Sequence, residues 1–210
     1  MKFTVLTFCD ETFKLMAEIT GNNHRDYCHK HGYFCKKRIF PAFKGNGYER
    51  LCYAAKINAE IILQELYLGK ENDYLFTIGS DAIITNMEIK LEDIAGEYKD
   101  FNIIVGSDSG GINSSQQLIK ITPRSRKYYM EMVAWIEKGG EHDQRYMHEN
   151  PKEFMIETHQ NLMNSYDCET RQEPPETPGN WKTGDFLVHL AGMTLEQRMA
   201  VLNKWMERVR

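Results

Sequence analysis

Two segments of helical spacing separate three short apolar runs near the start of the chain, and this alternation restricts the fold more than any other feature. Lys2 to Phe8, Tyr33-Phe34-Cys35 and Tyr74 to Ile78 are rich in β-branched and aromatic residues, as strands covered on both faces are. Met16, Ile19 and Tyr27 fall on one face of a segment from about Glu11 to Lys30, and Gly32 stands where a C-terminal cap is expected. Leu51, Ala55, Ala59, Ile62 and Leu66 repeat the pattern from about Tyr48 to Leu68, with Gly69 ending it. Strand, helix, strand, helix, strand predicts right-handed βαβ units and an α/β sheet. A chain of 210 residues suits one such domain.

The third run continues into Gly79-Ser80-Asp81-Ala82-Ile83-Ile84-Thr85-Asn86, so a carboxylate appears where a buried strand gives out. In open α/β sheets that is where ligands bind. Asp81 there can hold a divalent cation, and the cation a diphosphate, since the two anions need a positive charge between them. A polar turn capped by Asp81 is the simpler alternative.

Beyond Asn86 the spacing predicts a short helix near Leu91 to Gly96 and a strand from Asn102 to Val105. Gly106 to Gly111 follows, either a backbone that approaches a ligand closely or an ordinary hairpin or bulge. Thr122-Pro123 opens a helix to about Lys138 with Tyr129, Met132, Val133 and Ile136 on its apolar face and Gly139-Gly140 closing it. Glu141-His142-Asp143-Gln144 reads as the start of another helix, where such groups serve as caps. Asn164 to Asn180 is irregular, and Glu173 to Gly179 reads as a loop near the site. Phe186-Leu187-Val188 then delivers His189, a structural hydrogen-bonding residue or a ligand. Thr194-Leu195-Glu196-Gln197 is a capping box opening a last amphipathic helix.

A formal net charge of −4 gives no footprint for nucleic acid or an anionic membrane surface, so an anionic ligand must be met by local groups or a metal. Five cysteines without a Cys-x-x-Cys pair read as reduced and intracellular. Phe3 to Phe8 is too short for a membrane span and lacks a cleavage site after it.

Taken in order, these pieces resemble the retaining GT-A glycosyltransferases that include yeast-type α-1,2-galactosyl and α-1,6-mannosyl transferases and plant xyloglucan xylosyltransferases. Gly79 to Asn86 is similar to that family's Asp-Ser-Asp-Ala motif, an apolar pair and Thr-Asn, with Gly79 in place of the first Asp. Asn23-His24-Arg25-Asp26-Tyr27-Cys28, Ile112-Asn113-Ser114-Ser115, Asp143-Gln144, Asn164-Ser165-Tyr166 and Gly184 to Gly192 resemble further family segments, so the likeness covers nearly the whole chain.

The resemblance implies a GT-A (Rossmann-like), mostly parallel central sheet flanked by helices in a single domain, residues 1–210, complete or as the N-terminal part of a longer protein. It implies a metal-dependent retaining transferase moving a hexose or deoxyhexose from a nucleoside diphosphate sugar, a UDP-sugar by preference, to a hydroxyl of a glycan or glycoprotein acceptor. Asp81 and His189 would hold Mn²⁺, with Mg²⁺ as the other candidate. Asp143 and Gln144 would lie beside the donor sugar, and Asn113 would contact donor or acceptor. Phe8, Cys9 and Asp10 would meet the nucleoside, and Lys56 fits a family lysine on the helix before the metal motif. Ser80 or Asp108 could stand in for the missing carboxylate. Thr194 stands where xylosyltransferases carry a phosphate-facing lysine, leaving Lys182 or Arg198 to supply that charge. Family members are typically anchored in the Golgi; the reading here is cytoplasmic, in host cytoplasm if the chain is viral, with no membrane span and no nucleic-acid partner. A sugar nucleotidyltransferase, and a nucleotide-sugar or glycan binding module with little turnover, remain as alternatives.

Overall fold

The computed structural model describes residues 1–168, 172–174 and 176–209. Pro175 of the anticipated loop and the terminal Arg210 lie outside them.

The first three strands, β1 (Phe3–Asp10), β2 (Phe34–Phe40) and β3 (Tyr74–Gly79), are parallel and joined by helices α1 (Lys14–His31) and α2 (Gly47–Leu68). Gly32, at φ 70°, ends α1 in the left-handed conformation. Helix α3 (Leu91–Glu97) follows the short strand β4 (Ala82–Ile84), and β5 (Ile103–Asp108) then turns back as β6 (Gly111–Lys120). Helices α4 (Pro123–Glu137) and α5 (Asp143–Glu149) precede β7 (Met155–Glu157), α6 (Gln160–Met163), β8 (Ser165–Tyr166), β9 (Leu187–His189) and the last helix, α7 (Leu195–Arg208). The main sheet runs β2-β1-β3-β6-β5-β7, with β6 antiparallel to both neighbours and the other pairings parallel. It is therefore a mostly parallel sheet with helices on both faces. A second sheet, β4-β9-β8, stands at its end.

One face of the main sheet packs Phe76, Ile104 and Leu118 against α1, α3 and Phe186, while the other packs Leu6, Leu75 and Ile119 against α2 and α4. A third cluster joins Ile83 and Val188 of the small sheet to Met16 of α1 and Leu202 and Trp205 of α7. The chain differs from the sequence reading in three places. Strand β2 is longer than three residues and largely polar, because it is the outer strand and its Lys36 and Arg38 pair with the buried Glu65 of α2. Strand β6 was not expected, because Asn113 to Gln117 is polar, although Gly106 to Gly111 before it forms the bulge and hairpin that the sequence allowed. Leu51 is half exposed and not part of the α2 core face.

Helix α1 buries an unusual set of polar side chains, and all of them reach the turn and strand that follow β3. The Thr20 hydroxyl donates to the Ser80 carbonyl at 2.9 Å. Asn23 donates to the Ile84 carbonyl at 2.9 Å and accepts from the Ile84 N–H at 2.8 Å, as a neighbouring strand would. His24 lies 2.9 Å from the Ala82 carbonyl through Nε2 and 2.8 Å from the Thr7 hydroxyl through Nδ1. A carbonyl only accepts, so Nε2 carries the proton and Nδ1 accepts from Thr7.

Burial of His24 pushes its pKa down to about 4, against a smaller opposing effect of the Ala82 carbonyl. The unfolded chain would take up a proton near pH 6.5 that the folded one refuses until about pH 4, so stability is full above pH 6.5 and falls as pH drops through that window. The loss by pH 4 is about 3 kcal/mol from this residue. Thermal unfolding between pH 7 and 4.5 is expected to show this slope, and His24→Gln to flatten it.

Candidate active site

The parallel strands β1 and β3 end side by side, with Phe8 paired to Gly79, and both carboxyl ends open into a cleft of about 540 Å³. That size suits a small-molecule ligand. Phe8, Cys9 and Asp10 form one rim, Gly79, Ser80 and Asp81 the floor, Ser114 and Ser115 of β6 with His142, Asp143 and Gln144 at the start of α5 the far wall. Leu51, Ala54, Ala55 and Asn58, one face of α2, close the side. Leu51 is exposed because it faces this cleft.

Asp81 and His189 meet. The pairing of β4 with β9 sets Ala82 opposite His189, which brings the imidazole beside the residue before Ala82. His189 Nε2 lies 3.4 Å from Asp81 Oδ1, and Arg198 Nη1 of α7 lies 3.1 Å from Oδ2. Burial would raise the Asp81 pKa, but His189 first and Arg198 second hold it well below the usual carboxylate range, so the group is an anion. His189 Nδ1 lies 2.7 Å from Asn164 Oδ1, and the Asn164 amide nitrogen donates to the Ser107 carbonyl at 2.8 Å. That second bond fixes the amide with its oxygen toward His189, so Nδ1 carries a proton and Nε2 points at Asp81.

A neutral imidazole so oriented would set a lone pair against a carboxylate. Either a proton or a metal cation resolves that contact. The donor set suits a cation: one carboxylate oxygen and one imidazole nitrogen at a separation that adjacent ligands of one ion have, with the other imidazole nitrogen tied to a carbonyl oxygen as in metal-bound histidines. Among the described residues no three His, Cys, Asp or Glu side chains converge on one point.

The remaining positions sort clearly. Asp143 faces the cleft, and burial raises its carboxyl above the ordinary range against the opposing hydrogen bonds of the Gln144 N–H and Ser114. Asp10 is in the rim but engaged: its Oδ1 accepts from the Thr12 N–H at 2.8 Å and its Oδ2 from Arg50 at 2.7 and 3.0 Å. Cys9 is a thiol, pushed up to about 11 by burial and then by Asp10, and is no nucleophile at neutral pH. Lys56 lies on the neighbouring face of α2, outside the cleft lining, paired to Glu137 at 3.3 Å and Glu60 at 3.6 Å. Asp108 and Asn113 bond each other at 2.8 Å across the hairpin, and Asp108 also accepts from Tyr166 at 3.0 Å; neither lines the cleft. Lys182 is outside it as well, whereas Arg198 lines it, with its Nε on the Leu190 carbonyl at 2.9 Å and its guanidinium 5.5 Å from the Phe13 ring centre. Sequence reasoning passed over Asn58, whose side-chain oxygen is buried in the cleft wall without a partner.

No family model matches the sequence, and no curated protein matches it. Solved structures are similar over nearly the full length. One, a glycosyltransferase involved in glycosylation of the major capsid of PBCV-1, superposes with a TM-score of 0.74 at 13% identity over 97% of this chain and 100% of that one. The galactosyltransferase LgtC, solved with donor and acceptor sugar analogs, gives 0.62 at 11% identity over 98% and 95%. GlyE of Streptococcus pneumoniae TIGR4 gives 0.55 at 13% identity over 99% of this chain, which spans 64% of that one. The fold is that of GT-A glycosyltransferases. At 13% identity the first of these is a likeness of fold.

Proposed function

We propose that this chain is a retaining glycosyltransferase that moves a hexose or deoxyhexose from a nucleoside diphosphate sugar, with uridine as the preferred nucleoside, to a hydroxyl of a glycan. The observation that carries the reading is that Asp81, which lines the cleft at the strand ends, meets the buried His189 from a distant strand. Asp81 and His189 would hold Mn²⁺ or Mg²⁺, which when bound would neutralise charge growing on the departing diphosphate. Arg198, fixed by Asp81 and the Leu190 carbonyl, adds a permanent positive charge to the same place. Asn58 offers a buried acceptor to an N–H of the nucleobase. Gln144 and Asp143 line the cleft, where the amide would face the electron-poor anomeric carbon of the donor and the carboxyl a sugar hydroxyl. As the bond from the anomeric carbon to the diphosphate breaks, the acceptor oxygen bonds to that carbon from the same face, and its proton passes to the leaving diphosphate oxygen. Such a reaction needs positioning and charge, not a protein nucleophile.

The glycan or glycoprotein acceptor would approach from the open side of the cleft. No described helix is long and apolar enough to cross a membrane. A cytoplasmic location, in a host cell if the chain is viral, belongs to the same proposal.

The test is release of nucleoside diphosphate from a panel of nucleotide sugars, with Mn²⁺, Mg²⁺ or a chelator and with mixed glycan acceptors. One uridine donor is expected to raise the melting temperature and to turn over with metal. Binding without release under every acceptor would make the chain a binding module, and no binding at all would end the proposal.

Gly79 has a part in this geometry. A Cβ there would stand 2.7 Å from Asp81 Oδ1, so Gly79→Ala is expected to push the carboxylate off His189 and weaken Mn²⁺ binding by about tenfold or more. Isothermal titration with MnCl₂ measures it.

A further inference from the structure

Gln116 of β6 is fully buried, and both ends of its side-chain amide lack a hydrogen-bond partner. A buried amide left unpaired is costly, and natural cores seldom retain one without a use. Its surroundings supply the use. The pairing of β6 with β3 ends at Thr77 and Gln117, and the Gln116 side chain lies beside Gly79, just past that pair. The position of a Cβ on Gly79 lies 3.6 Å from Gln116 Nε2 and 2.7 Å from Asp81 Oδ1, the same oxygen that faces His189 Nε2. The Gln116 amide and the Asp81 carboxylate thus both lie close to the bare α-carbon of residue 79, and His189 reaches the same carboxylate oxygen.

We propose that the Gln116 amide oxygen serves as a third protein ligand to the cation held by Asp81 and His189. The inference rests on the cation reading of the site proposed above. An amide oxygen is an ordinary ligand for Mn²⁺, Mg²⁺ and Ca²⁺. Neither end of the amide is tied to a neighbour, so turning the oxygen inward breaks no hydrogen bond. A neutral oxygen in place of a carboxylate leaves the site one negative charge poorer, and Asp81 already shares its charge with Arg198. The bound cation therefore keeps more of its positive charge for the diphosphate.

The experiment is titration of Mn²⁺ into the purified protein, with and without UDP, with free Mn²⁺ read by electron paramagnetic resonance. Gln116→Leu keeps the volume and removes the unpaired amide, so without metal it is expected to unfold at a temperature no lower than the wild type. It should nonetheless bind Mn²⁺ at least about tenfold more weakly. Gln116→Glu should bind it more tightly than the wild type. If Asp81→Asn abolishes binding while Gln116→Leu binds as the wild type does, the role of Gln116 is overturned and the cation site stands. If the wild type takes up no Mn²⁺ with or without UDP, the cation site itself falls and this inference with it.

Discussion

Asp81→Asn is expected to lower turnover of the preferred nucleotide sugar by about three orders of magnitude, the cost typical of removing one preorganised electrostatic contact to a developing charge. The substitution keeps shape and removes charge. His189 Nε2 at 3.4 Å and Arg198 Nη1 at 3.1 Å then lose the anion between them, and two groups aimed at it are left facing an amide. Arg198 keeps its bond to the Leu190 carbonyl, so the loss should appear in kcat and in Mn²⁺ affinity before it appears in the melting temperature. Turnover within tenfold of the wild type would show that the carboxylate is not at the reacting diphosphate.

Asn23→Ala should act the other way, on the fold first. The side chain is fully engaged with the N–H and the carbonyl of Ile84, both buried, and alanine leaves those two backbone groups unpaired on the side of β4 away from β9. The expected cost is about 2–4 kcal/mol, or a melting temperature about 5–15 °C lower for a domain of this size. Strand β4 carries the register that brings His189 to Asp81, so Mn²⁺ affinity should fall together with stability. Thr20→Val, which loses one hydroxyl bond to the Ser80 carbonyl, should cost less. A variant at position 23 that melts like the wild type would mean that the small sheet holds its register without α1.

Much of this was legible in the sequence, for identifiable reasons. The βαβαβ start followed from apolar runs and helical spacing, and the helix starts at Thr122 and Thr194 are capped as their side chains dictate. The nearness of Asp81 and His189 was legible only through resemblance, since nothing in the spacing of two distant residues measures the pairing of β4 with β9. Strand β6 was not legible because Asn113 to Gln117 is polar throughout; those side chains are satisfied inside, Gln117 by Tyr129 and Ser114, or wait for a ligand, as Gln116 does. Lys56 lies outside the cleft because successive helix positions point in different directions, so that Ala55 lines the cleft while Lys56 pairs with Glu137. Glu65 is similar. Its burial on an apolar helix face makes sense only once Lys36 and Arg38 are seen across from it.

That pairing has a consequence for how the molecule behaves in a crowd. Strand β2 ends the sheet, and an open edge is a template on which another extended chain can grow. Here the margin bears Lys36, Lys37 and Arg38 in succession, with two of them tethered by a carboxylate from behind. A second copy arriving edge to edge would bring its own three cations against these, so the same contact that seats a helix also discourages fibre growth.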